Sequence, residues 1–241
     1  YNKGKGKEVY LNEAHAYICA GSIMNLKGGA PNALYVTNFA GLNSEGIAQL
    51  RQASGKLVNI DTKTDVNVFN IEDLVEAGSS LPIHVAGLNN NLRWNNFALS
   101  FLFIYQGGHK LLKDTYNGEI LSRNVSLVHA DVAKAWQKPG DELVTDIPAR
   151  SSVIYSNLLA GSSKNVIDGD FIRLRDVVLS YTLPQNYSSS IGLQELTLNV
   201  RGSDLWLWAK NNEGIDPETQ GLGVRTSPVQ KSFTLGLNLI F

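Results

Sequence analysis

The feature that most constrains the fold is an alternation of apolar with small or polar residues at the end of the chain. The apolar positions of this alternation are Phe233, Leu235, Leu237, Leu239 and Phe241. A period of two sends successive side chains to opposite faces of a β-strand, whereas a helical stripe repeats every three or four residues. The segment therefore predicts a strand with one apolar face.

Two further segments show the same alternation. In residues 97–106 the members of the apolar face are Phe97, Leu99, Phe101, Phe103 and Tyr105. In residues 195–208 the positions of one parity include Leu196, Leu198, Val200, Trp206 and Trp208. These strands run for about nine or ten residues, longer than the usual five or six.

Two architectures have long strands with one apolar face. One is a large antiparallel sandwich that exposes its polar face to water. The other is a membrane-spanning barrel, whose strands need about 9–11 residues and place apolar side chains toward lipid. Aromatic residues near the strand ends favour the barrel, because interfacial girdles use Trp and Tyr. These aromatic residues are Trp94, Tyr105, Tyr181, Trp206 and Trp208.

The spacing between strands also favours the barrel. We expect seven strands, near residues 10–26, 33–39, 84–94, 97–106, 171–183, 195–208 and 232–241. Their connections then alternate between short and long, with Asn95-Asn96 as a two-residue turn in which Asn tolerates positive φ. A membrane barrel alternates short periplasmic turns with long extracellular loops. This pattern predicts an all-β antiparallel barrel with Phe241 on the periplasmic side and long loops at residues 40–83 and 107–170.

Composition narrows the functional classes. The formal net charge is −1 and charged residues make up 18%, which does not favour nucleic-acid binding through clustered basic residues. A single cysteine excludes an intramolecular disulfide framework. The four histidines lack ligand spacing, and no G-x-S-x-G, Walker A or H-E-x-x-H motif occurs. We therefore expect no enzymatic activity, cofactor or metal.

One helix is predicted inside the long 107–170 connection. Its apolar positions recur at spacings of three and four, and they are Leu121, Val125, Val128, Val132 and Trp136. The helix should end before Pro139-Gly140. It could border a ligand cavity or meet a lid protein, and packing against the loop itself is the alternative.

Several segments resemble the SusC/RagA family of TonB-linked outer-membrane proteins of Bacteroidetes. Residues 170–184, DFIRLRDVVLSYTLP, look like the family's characteristic strand segment. Four other segments agree in the same order: PNALY to AGLN at residues 31–43, GLNNNLRW with FALSFLFIYQGG at 87–108, WQKPGDELVTDIP at 136–148, and GIDPE at 214–218 with the final strand. Together they cover almost the whole chain.

The resemblance implies the architecture of a TonB-dependent transporter. Family members carry a plug, a TonB box and a 22-stranded barrel, and residues 1–241 resemble the carboxyl-terminal part of that barrel, about seven strands. No segment here resembles the plug or the TonB box, so the remaining strands should come from the rest of the transporter. The expected location is the outer membrane of a Gram-negative, Bacteroidetes-like cell.

The resemblance also implies a function and partners. It implies active import of large nutrients, glycans or peptides, driven by TonB and assisted by a SusD-like surface lipoprotein. Phe241 resembles the terminal aromatic residue that the barrel-assembly machinery reads, and the alternating apolar side chains, Trp206 and Trp208 included, should face outer-membrane lipid. The alternative is a passive structural or adhesive outer-membrane barrel without active transport.

Overall fold

The computed structural model describes residues 20–24, 30–61, 64, 68–114, 130–149, 157–221 and 226–241. Within these ranges the strands are β1 Ser22–Met24, β2 Ala33–Leu42, β3 Ala48–Arg51, β4 Leu57–Ile60, β5 Leu74–Ser79, β6 His84–Trp94, β7 Phe97–Gly107, β8 Lys110–Leu112, β9 Val166–Asp168, β10 Phe171–Thr182, β11 Glu195–Ala209 and β12 Ser232–Ile240. The α-helices are α1 Asn157–Ala160 and α2 Gln185–Ser190. Short 3₁₀ helices occupy Ile71–Asp73, Ala130–Lys134, Asp141–Leu143, Ser163–Asn165 and Pro217–Thr219.

The chain divides into two compact units. Residues 1–81, 109–168 and 220–226 contribute to the first, which we call the core unit. Residues 82–108, 169–219 and 227–241 form the second, which we call the sheet unit. The core unit is thus assembled from segments that precede or connect the long strands.

The core unit has a buried apolar interior. Its main sheet has the order β1-β2-β3-β4, with β5 paired to β2, and β8 pairs with β9. The largest cluster of buried side chains includes Leu50, Phe69 and Leu158, all nearly inaccessible to solvent. Leu34 and Val36 of β2 are buried as well and belong to a second cluster with Leu112. Consecutive residues of β2 are therefore covered on both faces.

The sheet unit is a single antiparallel sheet with the strand order β6-β7-β10-β11-β12. Its strands follow one another in chain order, and β11 is the longest at 15 residues. The five strands agree with the predicted strands at residues 84–94, 97–106, 171–183, 195–208 and 232–241 to within a residue or two. The predicted antiparallel all-β character of this region is confirmed.

The two ends of the strands in this sheet differ in the length of their connections, as the loop spacing predicts. Trp94 pairs with Phe97 across the Asn95-Asn96 turn, and Asn95 has φ 50°. Phe97 also pairs with Tyr181, and Glu195 pairs with Ile240. The short connections and the end of β12 therefore lie at the same end of the strands. We call this side of the sheet the turn edge. The connections at residues 108–170 and 210–231 leave from the opposite edge, the loop edge.

The sequence-based prediction is wrong about residues 40–83. This connection is not an irregular loop, because it contains the end of β2 and the strands β3, β4 and β5. Strands β3 and β4 have four residues each, too few for an alternation to be recognised. The strand expected at residues 33–39 is present, but it pairs within the core unit, so the long sheet has five described strands where seven were expected. Of residues 10–26, the structure describes only 20–24, where β1 lies.

The predicted loop helix is only partly within the described residues. Leu121, Val125 and Val128 lie outside them. Val132 lies in the 3₁₀ helix Ala130–Lys134, and Trp136 follows that helix. None of the helices in the described ranges is long and apolar enough to cross a membrane.

Candidate functional site

The sheet unit presents one largely apolar face, which is interrupted on β6 by Asn90, the partner of Phe101. The strand register places Phe103 beside Leu88 on one side and Leu174 on the other, and Leu174 beside Trp206. Leu198 likewise joins Tyr181 to Leu237. The members of this face on β6 and β10 are Leu88, Leu92, Trp94, Ile172, Leu174, Val177, Leu179 and Tyr181. Its members on the other strands are Phe97, Leu99, Phe101, Phe103, Tyr105, Leu196, Leu198, Val200, Trp206, Trp208, Phe233, Leu235, Leu237 and Leu239. All of the predicted lipid-facing residues therefore share one face.

Many side chains of this face are exposed. Phe233 and Leu235 are exposed by 75% and 77%, and Leu237 by 64%. Monomeric soluble proteins rarely expose contiguous apolar surface of this kind, so such a surface indicates a membrane or a partner.

Aromatic contacts occur on this face toward both edges of the sheet. Near the turn edge the ring centroids of Phe97 and Tyr181 are 4.7 Å apart. Toward the loop edge Phe103 makes an edge-to-face contact with Trp206 at 6.4 Å. Trp208 lies two residue pairs closer to the loop edge, opposite Ile172. This distribution is typical of the two aromatic girdles of a membrane strand.

An ionic network occupies β10, β11 and the following connection. The Nη2 atom of Arg173 lies 2.6 Å from both carboxylate oxygens of Asp216. Arg175 donates from Nη1 to Asp204 Oδ1 at 2.7 Å and from Nη2 to Glu218 Oε1 at 2.5 Å. Because Glu218 Oε2 also lies 2.5 Å from Arg173 Nε, without the alignment of a hydrogen bond, Glu218 bridges the two arginines. We call these five residues the arginine network.

Irregular strand geometry accommodates the network. The register of β10 shifts between Leu174 and Asp176, which makes Arg175 an extra residue, and Asp204 in β11 has φ 55°. A bulge bends a strand and redirects a side chain. Arg173 is 2% exposed and has the opposite parity to Ile172 and Leu174, so it lies on the polar face of the sheet.

The connection that carries Asp216 is itself ordered. Asn211 closes a loop with Ile215, donating from Nδ2 to its carbonyl at 2.9 Å and accepting from its amide at 3.1 Å. Asp216 Oδ1 accepts from the amide of Glu218 at 3.1 Å. Residues 214–218 therefore form a tight turn in which Asp216 supplies a side-chain acceptor.

The WQKPGDELVTDIP segment of the core unit folds into a compact loop. Asp141 Oδ2 accepts from the amides of Gln137 and Lys138, each at 3.1 Å. Glu142 Oε2 accepts from Trp136 Nε1 at 2.9 Å and from the Gly140 amide at 2.8 Å. The hydrogen bond from Trp136 is the largest cause that lowers the pKa of Glu142.

This loop packs against a second segment that is distant in sequence. A Cβ atom at Gly46 would lie 2.5 Å from the ring of Trp136, and Gly46 accepts a hydrogen bond from the Ala149 amide at 2.9 Å. Gly46 follows Asn43, whose Oδ1 accepts from the amides of Glu45 and Ile47. The segments around AGLN and WQKPGD, each recognised separately in the sequence, therefore meet in the core unit.

Comparisons with known proteins agree with this geometry. No family model matches the chain. TonB-dependent receptor P3 of Formosa agariphila is 30% identical over 256 aligned positions, which cover 98% of this chain. The resemblance to TonB-linked outer-membrane proteins that the motifs predict is thus confirmed, because the relatives of the chain are TonB-dependent receptors. TonB-dependent receptor P39 of the same organism is 28% identical over 200 positions, or 78% of the chain.

Solved structures show that the chain shares its fold with part of a known importer. The RagAB peptide importer in its open-open state matches 90% of the chain with a TM-score of 0.68 and 19% identity. Its closed-closed state matches 88% with a TM-score of 0.66 and 21% identity. The chain described here spans about a quarter of the length of the matched RagAB chains and of receptor P3.

The structure also places the terminal aromatic residue and two of the histidines. Phe241 follows β12 at the turn edge and is 80% exposed, and its role in assembly stays a prediction. His84 lies in β6 and His109 in the core unit. Among the described residues, no group of three or more His, Cys, Asp and Glu side chains is arranged to hold a metal ion.

The sequence did not predict the arginine network of the sheet unit. A usable indication was present, because Arg173 and Arg175 lie two residues apart in a predicted strand of a chain with few charges. Their partners Asp216 and Glu218 lie 43 residues away, and periodicity cannot show a contact over that distance.

Proposed function

We propose that this chain is the carboxyl-terminal barrel part of an outer-membrane TonB-dependent importer of large nutrients. The observation that carries the proposal is the exposed apolar face of the sheet unit, with aromatic residues toward both edges, in a chain whose relatives are TonB-dependent receptors. In this proposal the apolar face meets lipid and the polar face lines the lumen. The order of the five family-like segments supports the carboxyl-terminal assignment.

Barrel closure requires strands beyond the described sheet. Strands β6 and β12 each pair on one side only within the sheet unit. Unpaired backbone groups in lipid cost several kcal/mol each, about the penalty of an unmade hydrogen bond in hydrocarbon. We propose that the rest of the transporter, plug included, supplies the other strands of a 22-stranded barrel and the coupling to TonB.

A SusD-like lipoprotein at the loop edge is the proposed partner, by the resemblance of the motifs to the SusC/RagA family. The connections at residues 40–83 and 107–170 are our candidates for ligand and lid contacts. Peptides and glycans are both candidate cargo by the resemblance to the SusC/RagA family. The similarity to RagAB, a peptide importer, supports peptides. Phe241 is the proposed contact with the barrel-assembly machinery.

Energy-dependent uptake in cells tests the proposal. Cells that express the complete receptor should accumulate a fluorescein-labelled peptide or oligosaccharide, and deletion of the receptor or of TonB should abolish accumulation. An uncoupler of the proton gradient should have the same effect. A receptor that is absent from outer-membrane fractions would contradict the proposal at its first step.

The alternative function is a passive structural or adhesive barrel. It predicts the same membrane location and the same lipid-facing residues. It differs in predicting uptake that is absent, or that persists without TonB and in the presence of the uncoupler. The absence of a SusD-like lipoprotein among co-purified proteins would also favour it.

A further inference from the structure

We propose that Arg173 and Arg175 are positioning residues that hold residues 211–218 as a fixed strap on the polar face of the sheet. The strap is the segment from Asn211 to Glu218, which follows β11. The proposal rests on the proposed function in one respect, because the polar face becomes the wall of a passage only if the chain forms part of an importer.

The contacts of the strap are concentrated on two side chains. Asp216 meets Arg173 with both carboxylate oxygens, and Glu218 contacts Arg173 and Arg175 with one oxygen each. Charge-assisted contacts of this kind are shorter and stronger than neutral hydrogen bonds. The two carboxylates that bracket Pro217 therefore anchor the strap, in addition to the burial of its apolar side chains.

Burial makes the contacts mutually dependent. Arg173 is almost inaccessible to solvent, and its guanidinium lies 5.8 Å from the ring centroid of Phe171. A buried arginine that loses its carboxylate partners is left as an uncompensated charge, which is strongly unfavourable. Release of the strap would leave Arg173 with only the more distant carboxylate of Asp204, 3.9 Å from its Nη1, so the network favours a permanently attached segment over a swinging lid.

The internal structure of the strap supports the same conclusion. The side chain of Asn211 closes the loop at Ile215, and the Pro217–Thr219 helix orders the other end. Ile215 and Pro217 are buried. A segment that is preorganised and ionically anchored loses little entropy when it is held in one place.

The position of the strap gives it a consequence for transport. Arg173 lies on the polar face near the loop edge, two residue pairs from the end of the β10–β11 ladder that Phe171 and Ala209 close. A segment fixed there reduces the opening on that side of the wall in every state of the importer. We therefore infer that the strap contributes to the upper size limit of the cargo.

The experiment uses the complete receptor in outer-membrane vesicles and compares Glu218→Gln with the parent protein. This substitution removes the charge that bridges the two arginines and keeps the size of the side chain. The matched control is Arg201→Gln, because Arg201 pairs with Asp176 at 2.7 Å within the sheet and does not contact the strap. Hydrogen exchange of residues 211–218 is measured first. Uptake of a length series of fluorescein-labelled oligopeptides and oligosaccharides is measured second.

We expect amides of the strap in the parent protein to exchange as slowly as those of β11. In Glu218→Gln they should exchange at least about tenfold faster, while those of β10 and β11 remain unchanged. The largest imported member of the series should become larger in this variant and stay the same in Arg201→Gln. A purely structural role would leave that limit unchanged.

Several results would overturn the inference. Rapid exchange of residues 211–218 in the parent protein would show that no fixed strap exists, whether or not the variant folds. Faster exchange without a change in the size limit would exclude a role in cargo size. If the parent protein imports no member of the series, the proposed function and the size limit both fail, and the exchange data alone decide whether the strap is fixed.

Discussion

The core unit and the sheet unit use similar apolar residues in opposite ways. In the core unit Leu34 and Leu50 are completely buried among other side chains. In the sheet unit Leu235 and Leu237 project from a regular strand and remain largely exposed. The first unit buries its leucines as a water-soluble protein does, whereas the described residues of this chain leave those of the second largely uncovered. In the proposed function, the exposed leucines of the sheet unit meet lipid.

The largest expected effect separates the two units by cavity formation. Phe69→Ala in the core unit should lower the free energy of unfolding by about 3–5 kcal/mol, since it loses burial and leaves a cavity. Phe101→Ala on the apolar face should cost about 1.5–3 kcal/mol, because lipid fills the space and only the transfer energy is lost. Urea titration of the receptor folded in phospholipid vesicles measures both. Equal losses would contradict the difference in environment.

A charge placed on either face of the sheet tests its orientation. Leu237→Arg should cost about 2–4 kcal/mol if residue 237 lies near the bilayer midplane. The neighbouring substitution Asn238→Arg, on the polar face, should be clearly milder, and the pair Phe101→Arg and Ser100→Arg should behave in the same way. The same vesicle titration applies. Similar costs on both faces would show that the apolar face does not meet lipid.

A backbone position tests how tightly the core unit is packed. Gly46→Ala should cost about 1–3 kcal/mol, because φ is 73° and the new Cβ would lie 2.5 Å from Trp136. The matched control is Gly55→Ala, which has φ 86° but no atom within 4 Å of the new Cβ, so it should lose only about 1 kcal/mol of backbone strain. Circular dichroism during thermal unfolding compares the two. A smaller shift in Gly46→Ala than in its control would show that Trp136 does not pack there.

The smallest expected effect is a pH dependence of the compact loop. The hydrogen bond from Trp136 lowers the pKa of Glu142, so the folded state binds the proton less readily than the unfolded state. The stabilisation is present above the unfolded pKa of about 4.3 and is lost as pH falls through the lower folded value. Glu142→Gln should therefore lose less stability on acidification than the parent, as judged by urea midpoints at pH 7 and in acid. An identical pH profile would exclude this contribution.

The sequence is informative about the sheet unit because its strands are long. Phe97 to Tyr105 alternate over a whole strand, and the turn at Asn95-Asn96 has few conformational choices, so both the strand and its hairpin follow from local rules. The apolar face could be predicted for the same reason, since a period of two fixes the side on which each residue lies.

The core unit and the arginine network were less predictable because they depend on contacts between distant residues. Leu50 lies in a strand of four residues, whose burial is determined by Phe69 and Leu158 from other segments. Arg173 and Asp216 each lie in a recognisable motif, but their pairing requires the fold of the 210–219 connection. Local patterns specify elements, whereas tertiary partners are determined by the complete chain.

The sequential order of the long strands has a consequence for how such receptors diversify. Strands β7 and β10 pair along their length although the chain between them runs from residue 108 to 170. The entropy of closing such a connection grows only with the logarithm of its length, about 0.6 kcal/mol for each doubling. An insertion or deletion between these two strands therefore changes the free energy of their pairing only slightly. The length of the connection can therefore vary between related proteins while the pairing of the two strands is retained.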